Sequence, residues 1–438
     1  MQRRKFLKAA ALTTAGVTIG APMIGRNIRG ANRRVNVAVF GTNGRGMELT
    51  RVFARTPDSW VHGIGDVDTR AVTKAQKAAE ETSGHKPKGN QDFRRFLDDR
   101  DVDAVVIATP DHWHAPMAIM ALEAGKDVYL EKPCSHNPQE GEWLVAKQQQ
   151  TGKLVQMGNQ TRSSVTLNKI MKEIHDGSAI GRAYAGKAWY ANIRNGIGTL
   201  EKTYRPDWLD WELWQGPAPR MPYHDGLVHY DWHWYWDYGT GEILNNGTHE
   251  IDMCRWALQV DYPTKVTSSG GRYHFNDGWE AFDTQNVGYE YGDDKTINWE
   301  GRSCNGMPFW DRGRGALIHG TEGTALLDRG GYIIYDKLGK ELRREEEAGN
   351  NAGMNVTGGG SLTDGHARNF IAAINSGASL TADIADANVS VTTCHLGNIA
   401  QRTSGVVHCD PTDGKPLEDK AALALWGRTY EKGWKPKV

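Results

Sequence analysis

Val35-Asn36-Val37-Ala38-Val39-Phe40 runs directly into Gly41-Thr42-Asn43-Gly44-Arg45-Gly46 and then into the segment Met47–Arg55. The first six residues read as a buried strand, the glycines as a tight turn and the third segment as a helix. That order brings free helix N–H groups and a glycine turn together, the arrangement that receives a pyrophosphate. The match to G-x-G-x-x-G is incomplete, because Asn43 stands at the second glycine position. Asp66 closes the next predicted strand 25 residues after Gly41, where an acid is expected to bond a ribose hydroxyl. Gly41, Asn43, Gly44, Arg45, Gly46 and Asp66 are thus candidates to hold a nicotinamide dinucleotide. The acid favours NAD, while Arg70 close by leaves NADP open.

Outward from this stretch the pattern repeats. Trp60–Gly65, Val102–Ala108, Val128–Leu130 and Leu154–Met157 read as strands, with helices over Arg70–Thr82, Ala115–Ala124 and Gln139–Thr151 between them. Alternating units of this length predict an α/β doubly wound parallel sheet over residues 35–158. After Gly158 the character changes. A helix over Val165–Asp176 precedes strand-like runs at Ala183–Ile193, Lys265–Tyr273, Asn286–Tyr291, Thr296–Trp299, Gly315–Gly320 and Thr324–Leu327. They follow one another without intervening helices, as antiparallel strands do. Lys337–Gly365 reads as an exposed excursion whose Arg343–Glu347 charge run is a solvated face. Helices resume over Gly365–Ser376 and Ile384–Arg402. Residues 159–438 are therefore predicted to form an α+β domain with an open, mostly antiparallel sheet.

A chain of 438 residues is long enough for two or three domains with sizeable cores. Residues 1–34 hold eight basic groups and no acid. Taking those eight from the 52 basic groups leaves 44 against 53 acids, a net of −9 for the body. Such a body repels phosphate backbones, so no nucleic-acid partner is expected. Gln2-Arg3-Arg4-Lys5-Phe6-Leu7-Lys8 followed by the weakly apolar stretch Ala9–Gly25 resembles a twin-arginine export signal, which predicts a periplasmic or otherwise exported protein. No small-x-small cleavage site is obvious before Arg33, so an uncleaved anchor is the one membrane contact the sequence suggests. The five scattered cysteines contain no Cys-x-x-Cys pair and form no disulfide framework.

Two further segments carry a resemblance. Thr109-Pro110-Asp111-His112-Trp113-His114 follows one predicted strand, and Glu131-Lys132-Pro133 follows the next, both at carboxyl ends where ligands of such sheets bind. With these motifs the chain resembles the Gfo/Idh/MocA family, the glucose-fructose oxidoreductase and inositol dehydrogenase superfamily, from about Val35 to about Arg402. The resemblance implies a nicotinamide-dependent oxidoreductase acting on CH–OH groups of sugars, polyols or glycosides, with tightly bound NAD or NADP. It also implies a homo-oligomer, and it adds Thr109, Pro110, His112, His114, Glu131, Lys132 and Gln160 to the cofactor-contact candidates. It places Lys132 beside the nicotinamide and the reacting hydroxyl. The segment Gly241–Asp252 aligns with the family's Asp-x-Gly-x-His-x-x-Asp pattern and makes His249 the general base, a task that suits an imidazole. The family's dehydrogenases often have Asp at the position of Asn245, which can orient a substrate but cannot carry a proton. Asp252 lies one helical turn beyond His249, where it could hold the ring.

Arg162, on the segment after the last strand of the first domain, and Lys187, on the first strand of the second sheet, are candidates for substrate contact. Residues 204–238 hold six of the 16 tryptophans and five of the 15 tyrosines. Such rings, Trp232 and Tyr235 among them, either form a sugar-binding wall or pack the excursion against the body or a neighbouring subunit. His224, His229 and His233 lack the partners of a metal site, and none is expected. Two other readings share the fold. One is a glycosidase that uses transient NAD-mediated oxidation and elimination; the other is a non-catalytic sugar-binding protein, which Asn43 and Asn245 would favour.

Overall fold

Six strands, β1 (Val35–Phe40), β2 (Ser59–Gly65), β3 (Lys88–Asn90), β4 (Ala104–Ile107), β5 (Asp127–Leu130) and β6 (Val155–Met157), pair in parallel in the order β3-β2-β1-β4-β5-β6. The computed structural model describes residues 34–292, 294–348, 361–403 and 405–438. The predicted export signal lies outside them. β4, β5 and β6 are buried at every position, which is why their sequences are unbroken apolar runs without alternation. The strand order reverses between β1 and β4, so the carboxyl ends there border a crevice, the place where such sheets hold ligands.

The helix Asp111–Glu123 begins four residues before its predicted start. Pro116 sits inside it and cannot donate to the carbonyl of His112, but Arg428 Nη2 donates to that oxygen at 2.7 Å and replaces the lost bond. The chain's C-terminal part thus returns to the first domain. The helix Ser361–Ser376 does so too: the Phe370 ring meets Phe53 and Tyr129 edge-on, with centroids 6.4 and 5.9 Å away.

The second sheet contains β7 (Ala183–Ala191), β10 (Lys265–Gly271), β11 (Thr284–Tyr291), β12 (Lys295–Arg302), β13 (Arg314–Gly320), β14 (Thr324–Asp328), β15 (Gly331–Tyr335), β16 (Glu341–Glu346) and β17 (Val406–His408). A two-stranded ribbon, β8 (Glu201–Lys202) with β9 (His224–Asp225), stands apart from it. The nine strands run β16-β15-β14-β13-β7-β12-β11-β10-β17, and every pair is antiparallel except β7 with β12. The sheet is mostly antiparallel, as expected, with its one parallel pair near the centre. One prediction changes: part of the expected excursion is β16, an edge strand whose backbone pairs with β15 while its charged side chains stay in solvent. The helices Gly247–Leu258 and Ile384–Arg402 cover one face of the sheet, and a continuous apolar core runs from Ile107 and Leu130 through Ile243 and Ile251 to Tyr289 and Trp299.

The aromatic segment 204–238 lies across the first domain. Leu209 bridges to Asp68, Thr69 N–H donates to Trp208 O at 3.1 Å, and Asp210 N–H donates to Val67 O at 3.0 Å. Its rings form their own core, with Trp211 stacked on Trp214 at 4.8 Å and Tyr223, Trp232 and Tyr238 around them.

Candidate active site

The crevice at the carboxyl ends of β1 and β4 opens into a cavity of about 640 Å³, within the size range of small-molecule sites. Its dinucleotide end is built from the glycine turn. Gly41 has φ +73°, and a Cβ there would lie 2.7 Å from the carbonyl oxygen of Ala108. Gly46 packs still closer, since a Cβ would fall 1.7 Å from Gly41 O; it joins helix to strand and does not face the cavity. Gly44, with φ +50°, has no atom within 4 Å of its missing Cβ and leaves the start of the helix Arg45–Arg55 open to a ligand. Asn43 at the second glycine position is exposed on the cavity rim, so its side chain obstructs nothing.

Asp66 directly follows β2, with both oxygens fixed. Oδ2 accepts from Thr42 N–H at 2.6 Å, and Oδ1 accepts from Asp68 N–H at 2.9 Å. Burial pushes its carboxyl above the usual range. Arg70 is not available for a 2′-phosphate: Asp68 holds its guanidinium through Nε at 3.0 Å and Nη2 at 2.8 Å, and it stacks 3.3 Å over Trp208. The cradle, the acid and this occupied arginine fit NAD.

At the other end, Glu131 accepts from Arg45 Nε at 2.8 Å and from Gln160 Nε2 at 3.1 Å. Burial would raise its carboxyl, but the Arg45 guanidinium outweighs that and holds it below the usual range. His114 faces Pro133 O at 2.6 Å and Thr109 O at 2.7 Å, tying the two motif segments together. Lys132 donates to the carbonyl oxygen and the Oδ1 of Asn245. Burial lowers its ammonium below the ordinary lysine value, with Arg314 and Arg329 adding to the effect against Glu131 and Asp111. His249 donates from Nδ1 to Asn159 Oδ1 at 2.9 Å, which leaves the lone pair on Nε2. Burial, then Arg329 and Arg314, hold this imidazole neutral well below pH 6.5.

The cavity gathers Gly41, Asn43, Gly44, Arg45, Asp66, Thr109, Pro110 and His114 from the first domain's predicted set. Glu131, Lys132, Gln160, Trp232, Asn245 and His249 line it as well. Besides Gly46, five predicted residues do not reach it. His112 is buried against Trp214, facing its carbonyl at 2.9 Å. Asp252 does not hold the His249 ring: it takes a bidentate pair from Arg162 at 2.7 and 2.8 Å, and that same pair withdraws Arg162 from any ligand. Lys187 lies on the far face of the sheet, 3.4 Å from Glu300 and over Phe309. Tyr235 packs inside the aromatic core of the 204–238 segment.

Sequence reasoning missed Asn159, Asn246, Tyr230, Arg314 and Arg329, and read His229 and His233 only as weak metal candidates. His229 Nε2 meets Asp68 Oδ2 at 2.9 Å, and His233 stacks on Trp232 at 3.6 Å with Nδ1 facing Tyr230 O. The enclosed His233 imidazole is pushed down to about 3 by burial. Trp214, Tyr230, Trp232 and His233 line the cavity, so the aromatic segment is both packing and wall.

A six-stranded doubly wound sheet with a glycine cradle, a strand-end acid, and a lysine and a neutral histidine converging on one cavity defines an NAD-dependent oxidoreductase. The chain belongs to the Gfo/Idh/MocA oxidoreductase family. The family's NAD-binding Rossmann fold matches residues 35–159, and its C-terminal alpha/beta domain matches residues 179–325. A glycosyl hydrolase family 109 protein of Shewanella sp. (strain ANA-3) is 34% identical over 151 residues, covering 30% of this chain and 33% of that one. An inositol 2-dehydrogenase of Rubrobacter xylanophilus is 32% identical over 236 residues, covering 53% and 55% of the two chains. The match thus spans between a third and about half of these curated relatives. Among solved structures, a levoglucosan dehydrogenase in complex with NADH and levoglucosan superposes with a TM-score of 0.65 at 19% identity, over 86% of this chain and 99% of that one. Among the described residues no helix is long and apolar enough to cross a membrane.

Proposed function

We propose that this enzyme oxidises a CH–OH group of a sugar, polyol or glycoside, with Lys132 and His249 handling the hydroxyl proton. The observation that carries this is that the free Nε2 side of His249 and the ammonium of Lys132 belong to the wall of the same cavity as the dinucleotide cradle. Bound NAD supplies the hydride acceptor. His249, neutral with its Nδ1 proton committed to Asn159, takes the hydroxyl proton on Nε2. Lys132, its charged form disfavoured by burial, hydrogen-bonds the same oxygen as charge develops on it. Asn245 positions Lys132 and takes no proton. The inositol dehydrogenase and levoglucosan dehydrogenase similarities support a polyol or sugar as substrate. The test is turnover of a panel of cyclic polyols and methyl glycosides by the wild type and by His249→Ala and Lys132→Ala; undiminished turnover in either variant removes that residue from the role.

A second reading is favoured by the roof over the cofactor groove. Segment 204–238 closes across Asp68 and Arg70, which supports a cofactor that stays bound and is re-oxidised in place. Glycoside cleavage meets that requirement: the sugar is oxidised, loses its aglycone by elimination, takes up water and is reduced again. The family 109 glycosyl hydrolase relative supports it. Deuterium from solvent in the released sugar tests it, and a product free of deuterium rejects it. Export of the folded holoprotein by the twin-arginine route, and homo-oligomerisation through the exposed face of the nine-stranded sheet, complete the proposal; cell fractionation and solution mass measurement check them.

A further inference from the structure

Three carboxylates line the cavity among the described residues, Asp66, Glu131 and Asp111. Asp66 accepts on both oxygens, and Glu131 takes Arg45 and Gln160 on one oxygen and the N–H of Lys132 on the other at 3.3 Å. Asp111, the first residue of the helix Asp111–Glu123, differs. Its Oδ2 accepts from Thr240 Oγ1 at 2.5 Å, while Oδ1 has no hydrogen-bond partner among the described residues. The residue is 3% exposed, so what reaches Oδ1 comes through the cavity. The imidazoles on the wall divide in the same way. His114 meets carbonyl oxygens on both nitrogens and His229 meets Asp68, whereas His233 engages only Nδ1. A carbonyl oxygen only accepts, so Nδ1 carries the proton towards Tyr230 O and Nε2 keeps its lone pair. Trp232, stacked at 3.6 Å, and Tyr230, at 4.7 Å, fix the plane of the ring. The Lys132 charge acts on Asp111 and on His233, so both border the place of the reacting hydroxyl. The oxidation proposed above uses neither. Two acceptors without donors beside one ammonium suit a ligand that brings its own hydrogens.

We infer that Asp111 and His233 are substrate-binding residues: Oδ1 of the one and Nε2 of the other accept the hydrogens of hydroxyl groups that neighbour the oxidised one, and so select a ring with adjacent hydroxyls. This rests on the carbohydrate reading above and deepens it. A hydroxyl donates to an open acceptor, whereas a hydrogen or a fluorine on the same carbon cannot, and leaves the enclosed acceptor unpaired.

The experiment uses the full chain loaded with NAD and measures calorimetric affinity for methyl glucosides, galactosides and mannosides, then for the monodeoxy and monodeoxyfluoro analogues of the tightest one. The expected result is that replacing a hydroxyl beside the oxidised one weakens binding by about 10–100-fold, with fluorine as harmful as hydrogen. His233→Phe keeps the stacked ring and Asp111→Asn keeps the acceptor for Thr240. Each should bind the parent sugar more weakly and shrink the penalty of one analogue to under about threefold, with NAD retained. Fluorinated analogues that bind like the parent, or penalties that persist in either variant, overturn the inference. Loss of NAD from either variant also overturns it, since the acceptors would then serve ribose hydroxyls of the cofactor. The comparison of hydroxyl with fluorine in the unaltered protein decides the matter if a variant fails to fold. Failure of every methyl glycoside to bind overturns the carbohydrate reading and the inference with it. Hydroxyl-selective binding without formation of reduced nicotinamide upholds the acceptor site and rejects the oxidation reading instead.

Discussion

The Lys132 ammonium lies 3.1 Å from Oδ1 of Asn245, so the lysine of the first domain is fastened to the second domain by an amide and not by a carboxylate. An amide oxygen orients the ammonium and stabilises its charge less than a carboxylate would. Asn245→Asp would place an anion at that distance, favour the charged lysine and raise its pKa by about 1–3 units. The limb of the pH profile of kcat/KM that reports Lys132 should move to higher pH by that amount. An unchanged profile would remove Lys132 from the titrating groups of the reaction.

His249→Ala should lower kcat by about 10²–10⁴-fold while the protein still retains NAD, because the ring is absent from the glycine cradle. The wild type should also show no acid limb near pH 6.5, since burial keeps the imidazole neutral and basic form available well below that value. A limb at 6.5 that His249→Ala abolishes would contradict this.

Arg162→Ala tests a residue whose role changed between sequence and structure. It leaves the buried Asp252 carboxylate without its bidentate partner, which should cost about 3–5 kcal/mol in urea unfolding. KM and NAD retention should hold at temperatures where the variant is folded. A rise in KM without loss of stability would return Arg162 to the substrate.

Stability should fall as pH drops below about 6.5. Burial holds His112, His233 and His395 down to about 3 and His366 to about 4, with His136 and His249 well below their ordinary value. These rings are neutral when folded and take up protons when unfolded, so each fully titrating ring removes about 1.4 kcal/mol per pH unit between its unfolded and folded pKa. Proton uptake on urea unfolding at pH 5 checks the sign, and proton release would refute it.

Trp208→Ala combined with His229→Ala loosens the roof. An exposed cation–π contact and a partly exposed imidazole–carboxylate hydrogen bond together supply about 1–2 kcal/mol, so NAD should dissociate about tenfold faster or more. Gel filtration of the loaded protein reads this directly.

The first domain was legible because its signals are local. Val35–Phe40, Gly41–Gly46 and Asp66 occupy fixed places within one repeating unit, and β1 and the helix Ile384–Arg402 fall on their predicted bounds. What was missed depends on long-range register. Arg314 and Arg329 come to one cavity only through the pairing of β13 with β14, and Asn159 reaches His249 across 90 residues of sequence. Asp252 misled because helical spacing puts it within reach of His249, whereas tertiary packing supplies Arg162 as a stronger partner. β16 was hidden because an edge strand held by backbone pairing leaves its charged side chains looking like a solvated loop.

The most direct test mixes the NAD-loaded protein with cyclic polyols and methyl glycosides in a single turnover and follows the absorbance of reduced nicotinamide. The account predicts reduction by at least one of these carbohydrates in the wild type and none in Lys132→Ala or His249→Ala variants that retain NAD. Loaded wild type that no carbohydrate reduces, or variants that reduce as fast as the wild type, would contradict it.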